Sequence, residues 1–165
     1  MFMKENSIRI ELKPRTRENV SVYFERVQDS EIKKYLPQKA KSVEEAMADF
    51  ERSLCPGSTS YGKSVYANGA YVGDVWAYCI GDEEPNAMLS YCILEKSLWG
   101  KGVATEAVRL FMAEIKEKYV LKTLGAFTFS GNFASIRVLR KNGFQEKETF
   151  VEDGVESKYF QRDFS

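Results

Sequence analysis

Between Ala87 and Phe129 the hydrophobic period of the chain changes twice. Ala87 to Leu94 is an apolar run of strand length, and glycines follow at 100 and 102. From Gly102 to Tyr119, the residues Ala104, Val108, Phe111 and Ile115 recur at helical intervals. Leu124 to Phe129 is again strand-like. Strand, glycine turn, long helix and strand read as a crossover connection, which sets two strands parallel in one sheet. The stretch before it demands the opposite pairing. Tyr61 to Ala67 and Tyr71 to Ile80 flank Asn68-Gly69, the dipeptide suited to a tight hairpin turn. A mainly antiparallel sheet with one parallel crossover is therefore expected.

The remaining elements fit around that core. Ser7 to Leu12 alternates apolar and polar residues, as a first strand does. Thr16 is placed to N-cap a helix reaching about Val27, and Ser30 to Tyr35 suits a short helix before Pro37. Ser42 and Glu45 form a capping box ahead of Val43, Met47, Phe50 and Leu54. Phe133 to Asn142 reads as a helix stopped by Gly143. Phe144 to Val151 and Val155 to Phe160 read as a strand pair around Asp153-Gly154. The class is α+β, and the 165 residues are expected to form one domain, 1–165.

Composition excludes more than it suggests. The chain has no histidine, so no Ser-His-Asp or Cys-His mechanism and no HExxH zinc site can operate. No metal site is expected. The 24 basic and 24 acidic residues cancel, which argues against a nucleic-acid binder. Cys55, Cys79 and Cys92 are odd in number and lack CxxC spacing, which suits a reducing cytoplasm. Cys79 and Cys92 are expected as small buried hydrophobes in strands. The first residues carry charge early and lack the apolar stretch of a signal peptide, and no run is long enough to span a membrane.

Two glycine loops compete as phosphate sites. Gly57-Ser-Thr-Ser-Tyr-Gly62-Lys63-Ser64 matches the Walker A pattern at every position. That mechanism needs a strand before the loop and a helix after it, and the expected order here is helix then strand. The match is expected to be a connecting loop. Trp99-Gly-Lys-Gly-Val-Ala-Thr105 has the required context. Its amides precede a long helix, whose N-terminus carries the positive end of the helix dipole. A dinucleotide-binding GxGxxG is disfavoured, because Thr105 takes the third glycine position and no acidic residue ends the next strand. A tight turn without a ligand is the plainer alternative.

Taken together, WGKGVATEA, the helix, the following strand and NFASIRVLRKNGF resemble the GNAT N-acetyltransferases. The likeness is strongest to the RimJ/RimL-type branch, which includes N-terminal acetyltransferases of ribosomal proteins. It is sharp over Ala87 to Phe144 and weaker over nearly the whole chain. The resemblance implies a GNAT domain, a mixed sheet with helices on both faces. It implies acetyl-CoA as co-substrate, with no metal, and a primary amine as acceptor, either a protein N-terminus or a small molecule. The acyl-CoA motif falls on Trp99, Gly102 and Ala104, with Trp where Gln or Arg is common. The pyrophosphate is then expected on the amides of Lys101, Gly102, Val103, Ala104 and Thr105, with Gly100 and Gly102 permitting close approach. Pantetheine is expected to pair near Ile93 and Leu94, where a backbone amide near Ile93 would stabilise the oxyanion.

In many such enzymes a tyrosine in the second motif gives a proton to the departing thiolate. Leu139 stands at that position here. The branch pattern instead matches Asn132 and Ser135, implying a pantetheine contact for Asn132 and the acid's role for Ser135. Asn132 is equally a helix N-cap, and Ser135 equally a serine bonding its own turn. The general base stays open among Asp74, Asp82, Glu83, Glu84, Ser90 and Tyr91. Lys33, Lys34, Lys39 and Lys41 form a basic stretch near the expected acceptor side, or a solvated face. The rival to an enzyme is a GNAT module that holds acyl-CoA without turnover. The last strand pair offers an edge for a homodimer.

Overall fold

The computed structural model describes residues 7–36 and 40–164. One seven-stranded sheet carries the molecule. Its strands are β1 (Ile10–Pro14), β2 (Tyr61–Ala67), β3 (Ala70–Tyr78), β4 (Ala87–Ile93), β5 (Thr123–Phe129), β6 (Gln145–Glu152) and β7 (Val155–Asp163). Their order across the sheet is β1-β2-β3-β4-β5-β7-β6. Every neighbouring pair is antiparallel except β4 with β5. Both hairpin signals close as expected, with positive φ at Asn68 (50°) and Gly69 (84°), and at Asp153 (51°) and Gly154 (76°).

Helices α1 (Arg17–Arg26), α2 (Ser30–Lys33), α3 (Val43–Ser53), α4 (Val103–Lys118) and α5 (Phe133–Lys141) cover both faces. The caps follow the sequence. Thr16 accepts from the Asn19 N–H, and Ser42 Oγ accepts from the Glu45 N–H at 3.1 Å. The Glu45 carboxylate reaches back one residue further than a standard capping box, to the Lys41 N–H at 2.6 Å. On one face, α4 packs its buried Val108, Phe111 and Ile115 against β2 to β4, and Tyr61 stacks on Phe111. On the other, α1 sets Tyr23 edge-on to Trp76 and Asn19 against the Ser64 and Tyr66 hydroxyls.

Three expectations shift. The first strand starts at Ile10, and its register against β2 carries it on to Pro14. Leu98 belongs to an unanticipated 3-10 turn, Lys96–Leu98, ahead of α4. Cys79 lies just past β3, exposed, at φ 53°, while Cys92 is half-buried in β4; the burial expected of both thiols holds only in part, because β3 ends before Cys79. Pro37 and Lys39 lie outside the described residues.

The one parallel pair shapes everything that follows. Asn86 is buried and knots the bases of β4 and β5 together. Its N–H donates to the Thr123 carbonyl at 3.0 Å, and its Oδ1 accepts from the Lys122 and Thr123 N–H groups at 2.7 and 3.1 Å. Ladder pairing then runs only over Ala87 with Leu124 and Met88 with Gly125. Beyond Met88 the strands part and a cleft opens between them. Gly73 braces β4 from the other side. A Cβ there would sit 2.1 Å from the Cys92 carbonyl, so only glycine permits this approach of β3.

Candidate active site

The cleft has a polar edge because of ladder geometry. In antiparallel pairing, bonded and non-bonded residue pairs alternate. The Leu94 N–H donates to the Val72 carbonyl at 2.7 Å, and Gly73 stands opposite Ile93. Ile93 and Tyr91 therefore turn their backbone groups away from β3, into the space β5 has left. Two side chains then claim carbonyls at this edge. The Trp99 indole Nε1 donates to the Ile93 carbonyl at 2.8 Å, and Arg26 Nη2 donates to that of Leu94 at 3.0 Å. The Leu94 N–H is committed to Val72, and its carbonyl already accepts from Arg26. The Ile93 N–H keeps its place at the cleft.

The start of α4 closes one end. Gly100 and Gly102 hold φ of 78° and 81°, and a Cβ on either would meet nothing within 4 Å. Open space lies over this turn, with left-handed backbone beneath it. The first helical bond runs from Glu106 N–H to the Gly102 carbonyl, leaving the amides of Val103, Ala104 and Thr105 without helical acceptors. The Lys101 amide does not join them. It donates to the Leu98 carbonyl at 3.3 Å, closing the turn. Asn142, at the end of α5, donates to the Thr105 carbonyl at 3.2 Å and ties the two helices together.

These parts line a cavity of about 320 Å³ between the tip of β4, the α4 turn and α5. Arg137 and Lys141, four residues apart on one face of α5, add two cations to its wall. A second cavity, about 670 Å³, opens on the β5 side. Tyr91, Asn132 and Ser135 line both, so the two meet there. Asn132 Oδ1 accepts from the Ser135 N–H at 3.2 Å, which makes Asn132 the N-cap of α5. Ser135 Oγ lies 2.7 Å from the Tyr91 hydroxyl, which also donates to the Ser135 carbonyl at 3.1 Å. Burial holds the Tyr91 phenol well above its ordinary pKa, with the bond to Ser135 pulling the other way. Leu139 is buried beside them and supplies no proton.

The proposed bases separate cleanly. Asp74 lines neither cavity. It is sealed under α1, accepting from the Tyr71 hydroxyl at 2.7 Å and facing Arg15 Nε at 3.6 Å. Burial pushes its carboxyl up to about 6. Asp82, Glu83 and Glu84 sit in an exposed turn before β4, at the end of the strand opposite the cleft. Ser90 and Tyr91 line the second cavity. Lys33, Lys34 and Lys41 are exposed and line neither. Lys63 of the Walker-like segment lies within β2, paired to Glu114 of α4 at 3.2 Å. With a strand where a phosphate loop needs a helix, that segment is structural. Sequence reading missed Arg137 and Lys141, whose spacing on a helix was a usable signal. It also missed the bond between Tyr91 and Ser135, for which no local signal exists.

A family model described as the acetyltransferase (GNAT) domain matches residues 9–145. The chain belongs to the GNAT acetyltransferase family. It is thus an N-acetyltransferase domain. No curated protein sequence matches it. Among solved structures, aminoglycoside acetyltransferase AAC(6')-Ib in complex with coenzyme A is 17% identical, with 95% of each chain covered and a TM-score of 0.76. RimL, a ribosomal L7/L12 alpha-N-protein acetyltransferase in complex with coenzyme A, is 18% identical over 93% of both chains, with a TM-score of 0.76. Mycobacterium smegmatis RimJ is 17% identical over 93% of this chain and 81% of that one, at 0.79. For this GNAT domain the free amides of α4, the Ile93 N–H and the Arg137–Lys141 pair fit a phosphate-bearing acyl carrier. Among the described residues no group of His, Cys, Asp and Glu could hold a metal ion, and no helix is long and apolar enough to cross a membrane.

Proposed function

We propose that this GNAT domain acetylates a primary amine that enters through the larger cavity, and that Ser135 and Tyr91 manage the leaving thiol. One observation carries the reading: the two cavities join at Tyr91, Asn132 and Ser135. Acetyl-CoA supplies an activated thioester when bound. The amides of Gly102, Val103, Ala104 and Thr105 hold its pyrophosphate, with Gly100 and Trp99 shaping the turn, and Arg137 and Lys141 meet its phosphates. The Ile93 N–H orients the acyl arm. Asn132 caps α5 and so fixes where Ser135 stands.

The Ser135 hydroxyl then gives its proton to sulfur. When the single Tyr91 hydrogen turns from the Ser135 carbonyl to Ser135 Oγ, 2.7 Å away, the serine hydrogen is free to point at the thiol. A serine alone is a weak acid, and this relay offsets that weakness. The acceptor ammonium must first lose a proton, with an α-amine near 7.7–8.0 and a lysine amine near 10.4. No buried carboxylate lines the larger cavity, so the proton leaves to water at its exposed mouth. Holding both reactants in adjoining cavities supplies the proximity that the attack requires. The reaction runs in the cytoplasm, a placement supported by three free thiols.

The test is thiol release from acetyl-CoA with a panel of amines, comprising N-terminal peptides, alkylamines, polyamines and aminoglycosides. Amine-dependent release that follows acetylated product by mass supports the reading. Tight CoA binding with no release from any amine overturns it, in favour of a module that holds acyl-CoA without turnover.

A further inference from the structure

Both cavities depend on the short helix α2. Ile32 within it lines the smaller, cofactor cavity, and Tyr35 and Leu36, just past its end, line both. The junction at Tyr91, Asn132 and Ser135 therefore has a second wall, built from a four-residue helix and its exit. A helix that short cannot hold itself in water, so tertiary contacts must set its position. One contact is apolar: buried Ile32 packs with Val27 and Leu94. The other is ionic and comes from Lys96, in the 3-10 turn that follows β4.

We propose that Lys96 is a positioning residue: acting through Asp29 and Glu31, it holds α2 against the end of β4 and so sets the width of the junction that the amine must enter. Lys96 lines neither cavity and touches neither reactant. The proposal rests on the acetyl-transfer reading above and adds to it a residue that works from outside the site.

The geometry is that of a clasp. Lys96 Nζ lies 2.9 Å from Asp29 Oδ2 and 3.0 Å from Glu31 Oε1. Asp29 is also the N-cap of α2, its Oδ1 accepting from the Glu31 and Ile32 N–H groups at 2.9 and 3.2 Å. One carboxylate thus starts the helix with one oxygen and ties it down with the other. A single half-exposed ion pair adds little. Here two carboxylates converge on one ammonium, and the cap already immobilises one of them, so less side-chain freedom is lost. Arg26, at the end of α1, closes the same joint by donating to the Leu94 carbonyl at 3.0 Å and facing Glu95 at 3.5 Å. Three residues beyond Lys96, the Trp99 indole holds the Ile93 carbonyl. The wall formed by α2 and the edge that receives the acyl arm are therefore joined through one short turn. Without the ammonium, Asp29 and Glu31 repel each other, and α2 is left on its Ile32 anchor alone.

The experiment compares Lys96→Met, which keeps an unbranched stem and removes the charge, with Lys96→Arg, which can still bridge two carboxylates. Hydrogen exchange on the full chain with CoA bound reads α2 directly. Lys96→Met should speed exchange of the bonded amides of Ile32, Lys33, Lys34 and Leu36 about tenfold, with α4 exchange and the melting temperature unchanged. With the amine that turns over best in the panel above, kcat/KM should fall about tenfold, mostly in KM, while CoA affinity stays within about threefold. Lys96→Arg should recover both readouts. Unchanged α2 exchange and unchanged amine KM in Lys96→Met overturn the proposal. So does a parallel loss of melting temperature, CoA affinity and turnover, which would make Lys96 a general support of the fold. Failure of every amine to release thiol, in wild type and variants alike, removes the acetyl-transfer reading instead. Faster α2 exchange in Lys96→Met then still supports the clasp, and unchanged exchange overturns it as well.

Discussion

The Tyr91 hydroxyl, from the middle of β4, meets Ser135 Oγ at the start of α5 at 2.7 Å, across 44 residues of sequence. If the two act as one proton-delivering unit, their removal is not additive. Ser135→Ala is expected to lower kcat about 10²-fold with CoA affinity unchanged. Tyr91→Phe keeps the ring in place and is expected to lower kcat about tenfold. The double variant is expected to be no slower than Ser135→Ala alone. Steady-state kinetics with CoA titration measures all three. Normal turnover in Tyr91→Phe would leave the tyrosine as packing.

Arg137 and Lys141 share one face of α5 at the wall of the cofactor cavity. Replacing both by Ala is expected to weaken CoA about tenfold or more, with KM for the amine unchanged. The salt dependence of CoA binding should flatten in the same variant, since fewer charges then take part. Equal affinity and equal salt slope in the variant would place these cations outside the phosphate site.

Asp74 offers a pH readout free of catalysis. Its carboxyl is raised from 3.8 to about 6, chiefly by burial, with Arg15 and the Tyr71 hydroxyl opposing the rise. A carboxyl raised in the folded state stabilises fully below its unfolded pKa. That stability is lost as pH climbs through about 6. The shift corresponds to about 3 kcal/mol between pH 4 and 7. Asp74→Asn keeps an oxygen for the Tyr71 hydroxyl and removes the titration. Wild type is thus expected to lose stability relative to Asp74→Asn as pH rises over that window, read by denaturant melts. Parallel curves would show an aspartate that titrates alike in both states.

Lys63 lies in β2, its side chain 13% exposed and paired to Glu114 at 3.2 Å. Lys63→Ala is expected to cost up to about 1 kcal/mol of stability by unlinking the sheet from α4. CoA affinity should stay within a few-fold. Loss of nucleotide or CoA binding in a folded Lys63→Ala chain would mean that the Walker-like segment holds phosphate after all.

Local chemistry made much of this protein legible from sequence. Asn68-Gly69 and Asp153-Gly154 close their hairpins because few other residues tolerate two consecutive positive φ values. Thr16, Ser42 and Asn132 cap helices because each side chain reaches an amide two or three residues on. Gly100 and Gly102 mark the α4 turn for the same backbone reason. Position along the chain sufficed to set aside the Walker-like match. What the sequence could not show is decided where distant segments meet. The cleft depends on Asn86 holding β4 and β5 at one end and on their divergence beyond Met88. The freedom of an amide at Ile93, its loss at Leu94 and its loss at Lys101 follow from ladder phase and turn closure, not from residue type. Asp74 is an ordinary strand aspartate until α1 seals it beneath Tyr71 and Arg15. Hydrogen-bond reach is a few ångströms and burial depends on the whole packing, so such pairings exist only once the chain has closed.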